Sequence, residues 1–140
     1  MPAASERWVL DTSALLCLKE DEPGASEVDR ILREAGGKGR VFVSFISLME
    51  YFYVLQQERG ELEARRGYLE LKGLPLRVIE SDEELGLASA RLKASLRLSV
   101  ADAWIAATAQ RLGAVLVHKD PEFEQVRNAV SLRALPYKSK

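Results

Sequence analysis

Trp8-Val9-Leu10-Asp11-Thr12-Ser13 is the stretch that decides the fold. Three apolar residues run straight into a carboxylate and two hydroxyls. A short apolar run closed by polar residues reads as a buried strand that stops at the edge of a sheet. Ala14-Leu15-Leu16-Cys17-Leu18 then continues as the start of a helix, so Asp11 stands where strand gives way to helix. In open α/β sheets that carboxyl edge is where ligands bind.

Outward from this point, strand and helix signals alternate. Val28, Ile31, Leu32 and Ala35 recur at helical spacing before Gly36-Gly37, and Val41-Phe42-Val43 reads as a second strand. Ser47 with Glu50 three residues later has the form of a capping box opening the next helix. That helix, to about Arg59, is apolar nearly all round, so Tyr51, Phe52 and Tyr53 read equally as core or as a surface for a partner. Gly60 separates it from a charged helix ended by Gly73, and Leu76-Arg77-Val78-Ile79 is a third strand. Ser81 with Glu84, and Ser99 with Asp102, form two more capping boxes, the second before an alanine-rich helix closed by Gly113. Ala114–Val117 is a fourth strand, His118–Phe123 turns into a short helix, and Val130–Arg133 is a last edge strand. Strands alternating with helices predict an α/β fold of three layers, with a mostly parallel sheet of four to five strands and helices on both faces.

Composition narrows the function. At 140 residues the chain fits a single domain spanning residues 1–140, and no repeat or low-complexity tract divides it. No apolar run approaches the roughly 20 residues of a membrane helix and no signal-peptide layout opens the chain, so the expected location is cytoplasmic. A net charge of −1 argues against a general nucleic-acid coat but not against an enzyme that holds a few phosphates through bound cations. Cys17 is the only cysteine, which excludes an internal disulfide and a cysteine zinc cluster; on an apolar helix face it reads as a core residue. His118 is the sole histidine, which removes two-histidine acid–base cleavage and helix-borne histidine zinc sites.

Four acids occupy similar places: Asp11 and Asp120 after strands, Glu50 and Asp102 at helix starts. Each has a plain explanation as a cap. Asp120 before Pro121 is a good N-cap, Glu50 and Asp102 complete capping boxes, and Asp11 can cap the first helix. In a parallel sheet, however, these positions lie along one edge and the acids converge. Carboxylates in one cleft repel each other unless a divalent cation neutralises them. An oxygen-only donor set favours a hard metal, Mg²⁺ with Mn²⁺ as substitute, and such clusters activate water against phosphodiesters.

Val9-Leu10-Asp11-Thr12-Ser13-Ala14-Leu15, the helical Glu50, Leu98-Ser99-Val100-Ala101-Asp102-Ala103 and Leu116-Val117-His118-Lys119-Asp120-Pro121-Glu122-Phe123 together resemble the PIN domain, more narrowly the VapC-type toxin ribonucleases of toxin–antitoxin pairs. The resemblance spans nearly the whole chain, in the family's order and spacing. It implies Asp11, Glu50, Asp102 and Asp120 as Mg²⁺ ligands and catalytic residues, with Ser13 hydrogen-bonding in the metal shell. It further implies RNA as substrate, a homodimer, and a small antitoxin protein as partner. His118 departs from the family, which often carries threonine or serine there; it reads as a phosphate contact or as packing at the strand end. Glu122 stands where relatives often carry a further acid, and reads as an aid to Asp120 or as a helix-dipole acid. Lys119, beside Asp120, is the first candidate to guide RNA, ahead of Lys19, Arg91, Arg97 and Arg111, and Trp104 reads as packing or as a base-stacking ring.

Two further functions compete with the metal-dependent nuclease. Asp-x-Ser after a strand also resembles haloacid-dehalogenase phosphatases, but those want an acid where Ser13 stands and leave Glu50 without a role. A PIN domain kept for protein contacts, or an RNA-processing nuclease without an antitoxin, remains the alternative within the family.

Overall fold

The computed structural model describes residues 6–138. Its elements are β1 (Trp8–Leu10), α1 (Thr12–Lys19), α2 (Ala25–Ala35), β2 (Val41–Ser44), α3 (Phe45–Arg59), α4 (Glu61–Lys72), β3 (Arg77–Ile79), α5 (Glu83–Ser95), α6 (Val100–Leu112), β4 (Val115–His118) and β5 (Ser131–Ala134). Short 3-10 turns at Gly36–Lys38 and Pro121–Val126 complete the chain. The five strands form one sheet in the order β3-β2-β1-β4-β5, and every neighbouring pair is parallel. The α/β layering expected from the sequence is therefore the architecture found, with the sheet wholly parallel.

The pleat explains why the central strands are apolar throughout. Successive strand residues point to opposite faces, so a strand covered on both sides has no polar side to show. Trp8 and Leu10, with Val41, Val43 and Val117, join a core beneath α1 to α4 that includes Leu15, Ile31, Tyr51 and Leu55. Val9, Phe42 and Leu116 face the other way, against Ile105, Ala106 and Ala109 of α6 and Phe123. The alanines of α6 let its backbone lie close to the sheet. Gly67 does the same for α4 against α3, because a Cβ there would stand 2.6 Å from Leu55 Cδ1.

Strand order sets the position of the site. β1 pairs with β2 on one side and β4 on the other, so the chain's path reverses direction across β1. A parallel sheet opens a crevice at such a point, outside the carboxyl ends of the strands. Asp11 follows β1 and Asp120 lies just beyond β4, and both ends face that crevice.

Two of the sequence expectations on caps are corrected. α3 starts at Phe45, two residues before Ser47: β2 runs directly into the helix, Ser44 is the N-cap, and its hydroxyl accepts from the Ile46 N–H at 3.4 Å. Ser47 is instead fully buried inside the helix, and Glu50 falls in the second turn. At α5 the cap is Asp82, which accepts from Leu85 N–H at 2.8 Å, and not Ser81. Ser99 caps α6 as expected, accepting from Asp102 N–H at 3.1 Å. Near the end of the chain the Lys138 ammonium lies 3.1 Å from Glu22; Ser139 and Lys140 fall outside the described residues.

Candidate active site

Asp11 is the deepest of the four acids, with 3% of its surface exposed. As N-cap of α1 it accepts from the Ala14 N–H at 2.7 Å, and the Ser13 hydroxyl lies 2.8 and 2.7 Å from its two oxygens. Ser13 Oγ in turn accepts the Lys119 N–H at 2.9 Å, so one hydroxyl ties the end of β1 to the end of β4. Burial pushes the Asp11 carboxyl up to about 8; the Ser13 and Ala14 hydrogen bonds oppose that shift, and the charges of Asp102 and Asp120 add to it. These bonds are cap bonds, yet they do not outweigh the cost of taking the charge out of water.

Asp102, in the first turn of α6, is also raised, to about 6, first by burial and then by Asp120 and Glu50. Asp120 caps the 3-10 turn with Pro121 at its first position, and its carboxylate accepts from the Glu122 N–H at 2.9 Å. Glu50 reaches in from α3 and accepts from Thr12 Oγ1 at 2.6 Å. All four acids thus share one region: Asp102 feels Asp120, Glu50 and Glu122, while Asp11 feels Asp102 and Asp120. Among the described residues no lysine or arginine forms an ion pair with any of the four. Nor are three acidic, histidine or cysteine side chains gathered closely enough to grip an ion as they stand. The carboxylates share a field rather than a finished coordination shell. An all-oxygen donor set whose uncompensated negative charge is buried at Asp11 and half-buried at the other three acids nonetheless fits a hard divalent cation, which would relieve both the desolvation cost and the repulsion.

The supporting residues divide. Ser13 sits where the motif predicts, on Asp11. His118 is fully buried, with ring centroids 5.3 Å from Phe123 and 6.0 Å from Tyr137, so of its two readings packing is the one found. Its Nδ1 accepts the Asp120 N–H at 3.3 Å, and burial lowers its pKa. Its Nε2 has no hydrogen-bond partner among the described residues. Glu122 is exposed at the start of the 3-10 turn, a helix-dipole position within electrostatic reach of Asp102.

Lys119 corrects the expectation that it guides RNA. Its ammonium points back under α1, 3.1 Å from Glu22 Oε1 and 2.9 Å from the Pro23 carbonyl, with its side chain 3% exposed. Cys17 packs in the core 3.8 Å away. Lys19 and Arg111 are paired with Glu70 and Asp82, which leaves Arg91 and Arg97 exposed. Trp104 packs edge-on against Phe45, centroids 5.0 Å apart. Tyr51 is core, whereas Met49 and Tyr53 on α3 are exposed. Sequence reasoning missed Thr12 and Ser47 as parts of the site, because both were absorbed into helix-start patterns.

Comparison with known proteins places this geometry. The PIN domain family model matches residues 8–129. No curated protein sequence matches. Among solved structures, VapBC2 from Rickettsia felis bound to a promoter DNA fragment is 17% identical at a TM-score of 0.73, over 92% of this chain and 98% of that one. DNA-bound VapBC from Salmonella typhimurium is 22% identical at a TM-score of 0.71, over 92% and 98%. VapC20 from Mycobacterium tuberculosis, a sarcin-ricin-loop-cleaving toxin, is 16% identical at a TM-score of 0.66, over 85% and 94%. At these identities the likeness is one of fold.

Proposed function

This chain belongs to the PIN domain family, and from that premise we propose that it is a Mg²⁺-dependent endoribonuclease, the VapC-type toxin of a toxin–antitoxin pair. The observation that carries the proposal is the cluster of buried Asp11 with half-buried Glu50, Asp102 and Asp120, without a lysine or arginine partner among the described residues, at the crevice of a parallel sheet. Negative charge at that depth destabilises the protein alone and becomes useful only when a ligand of opposite charge arrives. Mg²⁺, or Mn²⁺ in its place, would be held by these carboxylates, directly or through water. When bound it would supply an activated water and a counter-charge for the phosphorus-centred transition state.

The chain's own residues prepare that site. Asp11 anchors it, fixed in one rotamer by Ser13 and Ala14. Asp102 comes from the first turn of α6 and Asp120 from the end of β4, where the 3-10 turn it caps holds it. Glu50 closes the site from α3. Arg91 and Arg97 are the exposed candidates for contacting RNA backbone.

The partners proposed are RNA as substrate, a second copy of the chain, and an antitoxin protein. Met49 and Tyr53, one turn apart on α3, offer exposed apolar surface for protein contact. Among the described residues no helix is long and apolar enough to cross a membrane, and we place the protein, as one domain over residues 1–140, in the cytoplasm.

The test is cleavage of labelled RNA by purified protein with Mg²⁺, Mn²⁺ or excess chelator. Cleavage that needs the metal and disappears in a folded Asp102→Asn variant supports the reading. A folded, metal-loaded wild type that leaves RNA intact favours the interaction-only alternative. An antitoxin is tested by co-expression with the product of the adjacent gene and assay for lost cleavage.

A further inference from the structure

The two hydroxyls after Asp11 serve opposite walls of the cleft. Ser13 turns to Asp11 and the end of β4. Thr12 turns the other way: its Oγ1 lies 2.6 Å from Glu50 Oε1 and 3.1 Å from Ser47 Oγ. A hydroxyl has one proton to donate. The shorter, charge-assisted contact takes it, so Thr12 donates to Glu50, and Ser47 must donate to Thr12. Ser47 is fully buried and Thr12 is 9% exposed, so water has little access to either hydroxyl. The result is a relay, Ser47 to Thr12 to Glu50, in which each bond polarises the next.

We propose that Thr12, supported by Ser47, is a positioning residue that holds the Glu50 carboxylate in the cleft with its second oxygen free for a divalent cation. This inference rests on the nuclease reading for its purpose, but not for its geometry. Glu50 leaves α3 from the second turn on a side chain with three rotatable bonds and is only half-buried. No lysine or arginine among the described residues pairs with it, and Thr12 is the hydrogen-bond partner that anchors it. Without the hydroxyl, repulsion from Asp102 would favour rotamers that carry the carboxylate out to water. The chain pins a flexible acid with a short, stiff hydroxyl side chain: threonine is β-branched, and at the first helical position its χ1 is restricted. This also gives Ser47 a role that its supposed capping position did not.

The experiment compares wild type with Thr12→Val, which keeps the shape and removes the hydroxyl, and Thr12→Ser, which restores it. Crystal structures of metal-free wild type and Thr12→Val report where Glu50 lies, and a Mn²⁺ titration followed by electron paramagnetic resonance reports affinity without RNA. Groups that orient metal ligands typically change affinity by about 10–100-fold when removed. Thr12→Val is expected to displace Glu50 from the cleft and weaken Mn²⁺ binding by about tenfold, with Thr12→Ser close to wild type. Glu50 unmoved in Thr12→Val overturns the proposal, as does equal impairment of Thr12→Ser, which would assign the effect to the methyl. Wild type that binds no Mn²⁺ and cuts no RNA defeats the nuclease reading instead, and the position of Glu50 in the Thr12→Val crystal then decides the claim about Thr12 by itself.

Discussion

Asp11→Asn is expected to make the metal-free protein more stable, although it alters a helix cap. The Asp11 carboxyl ordinarily titrates at 3.8, and in the fold burial raises it to about 8. A raised folded pKa means the folded state binds the proton more tightly than the unfolded chain. Its contribution is therefore fully present below the unfolded pKa and lost as pH rises through the folded one. Between about pH 4 and 8 this one group should cost up to ~1.4 kcal/mol of stability per pH unit, a total near 4 kcal/mol by pH 7. With only 3% of its surface exposed, Asp11 gains little relief from solvent. Asparagine has the shape of the protonated acid: its carbonyl keeps the Ala14 N–H bond and its amide faces Ser13. The variant should gain about 2–4 kcal/mol at pH 7, roughly 3 °C in melting temperature per kcal/mol, and almost nothing at pH 4. Urea unfolding followed by the fluorescence of Trp8 and Trp104, in chelator at pH 4, 7 and 8.5, measures the difference curve. Comparing variant with wild type removes the opposing contributions of Glu22 and Asp82, whose pKa values are lowered. A variant equal to or weaker than wild type at pH 8.5 refutes the reasoning: the charged carboxylate would then be a net stabilising cap, worth about 1 kcal/mol, and not a strained ligand.

Mg²⁺ should raise the melting temperature of wild type at pH 8 in proportion to the logarithm of its concentration and leave Asp11→Asn unchanged; equal shifts in both would place the ion elsewhere. His118→Ala should cost about 3 kcal/mol in urea unfolding, because it empties a closed space between Phe123 and Tyr137. A loss under ~1 kcal/mol would mean that space collapses readily. Lys119→Met should destabilise by about 2 kcal/mol, less than a fully buried pair because Glu22 keeps Lys138. RNA affinity should be unaffected by that change, and a clear drop in a filter-binding assay would restore Lys119 to the substrate path.

How much was legible varies by residue. The turn at Asp11 could be read because an apolar run ending in Asp-Thr-Ser is both a strand end and a cap. Asp120 could be read because Asp-Pro has one strong local preference. The start of α3 could not, since Ser44 and Ser47 both precede helical residues, and only the length of β2 chooses between them. Lys119 misled for a related reason. Proximity to Asp120 in sequence says nothing about direction, and at the end of a strand neighbouring side chains point to opposite sides.

The alternation of strand and helix, the mostly parallel sheet it implies and the placing of the four acids at element ends came from local pattern; that every strand pair is parallel came from the structure. Hydrophobic period and turn chemistry act over a few residues, and a linear chain displays them in full. Which way several polar side chains turn was decided only when the helices packed: Thr12 toward Glu50 and Ser47, the Ser13 hydroxyl to the Lys119 N–H, the Lys119 ammonium away to Glu22. Those directions follow from burial and from partners 35 to 106 residues away in the chain, and no local pattern records them.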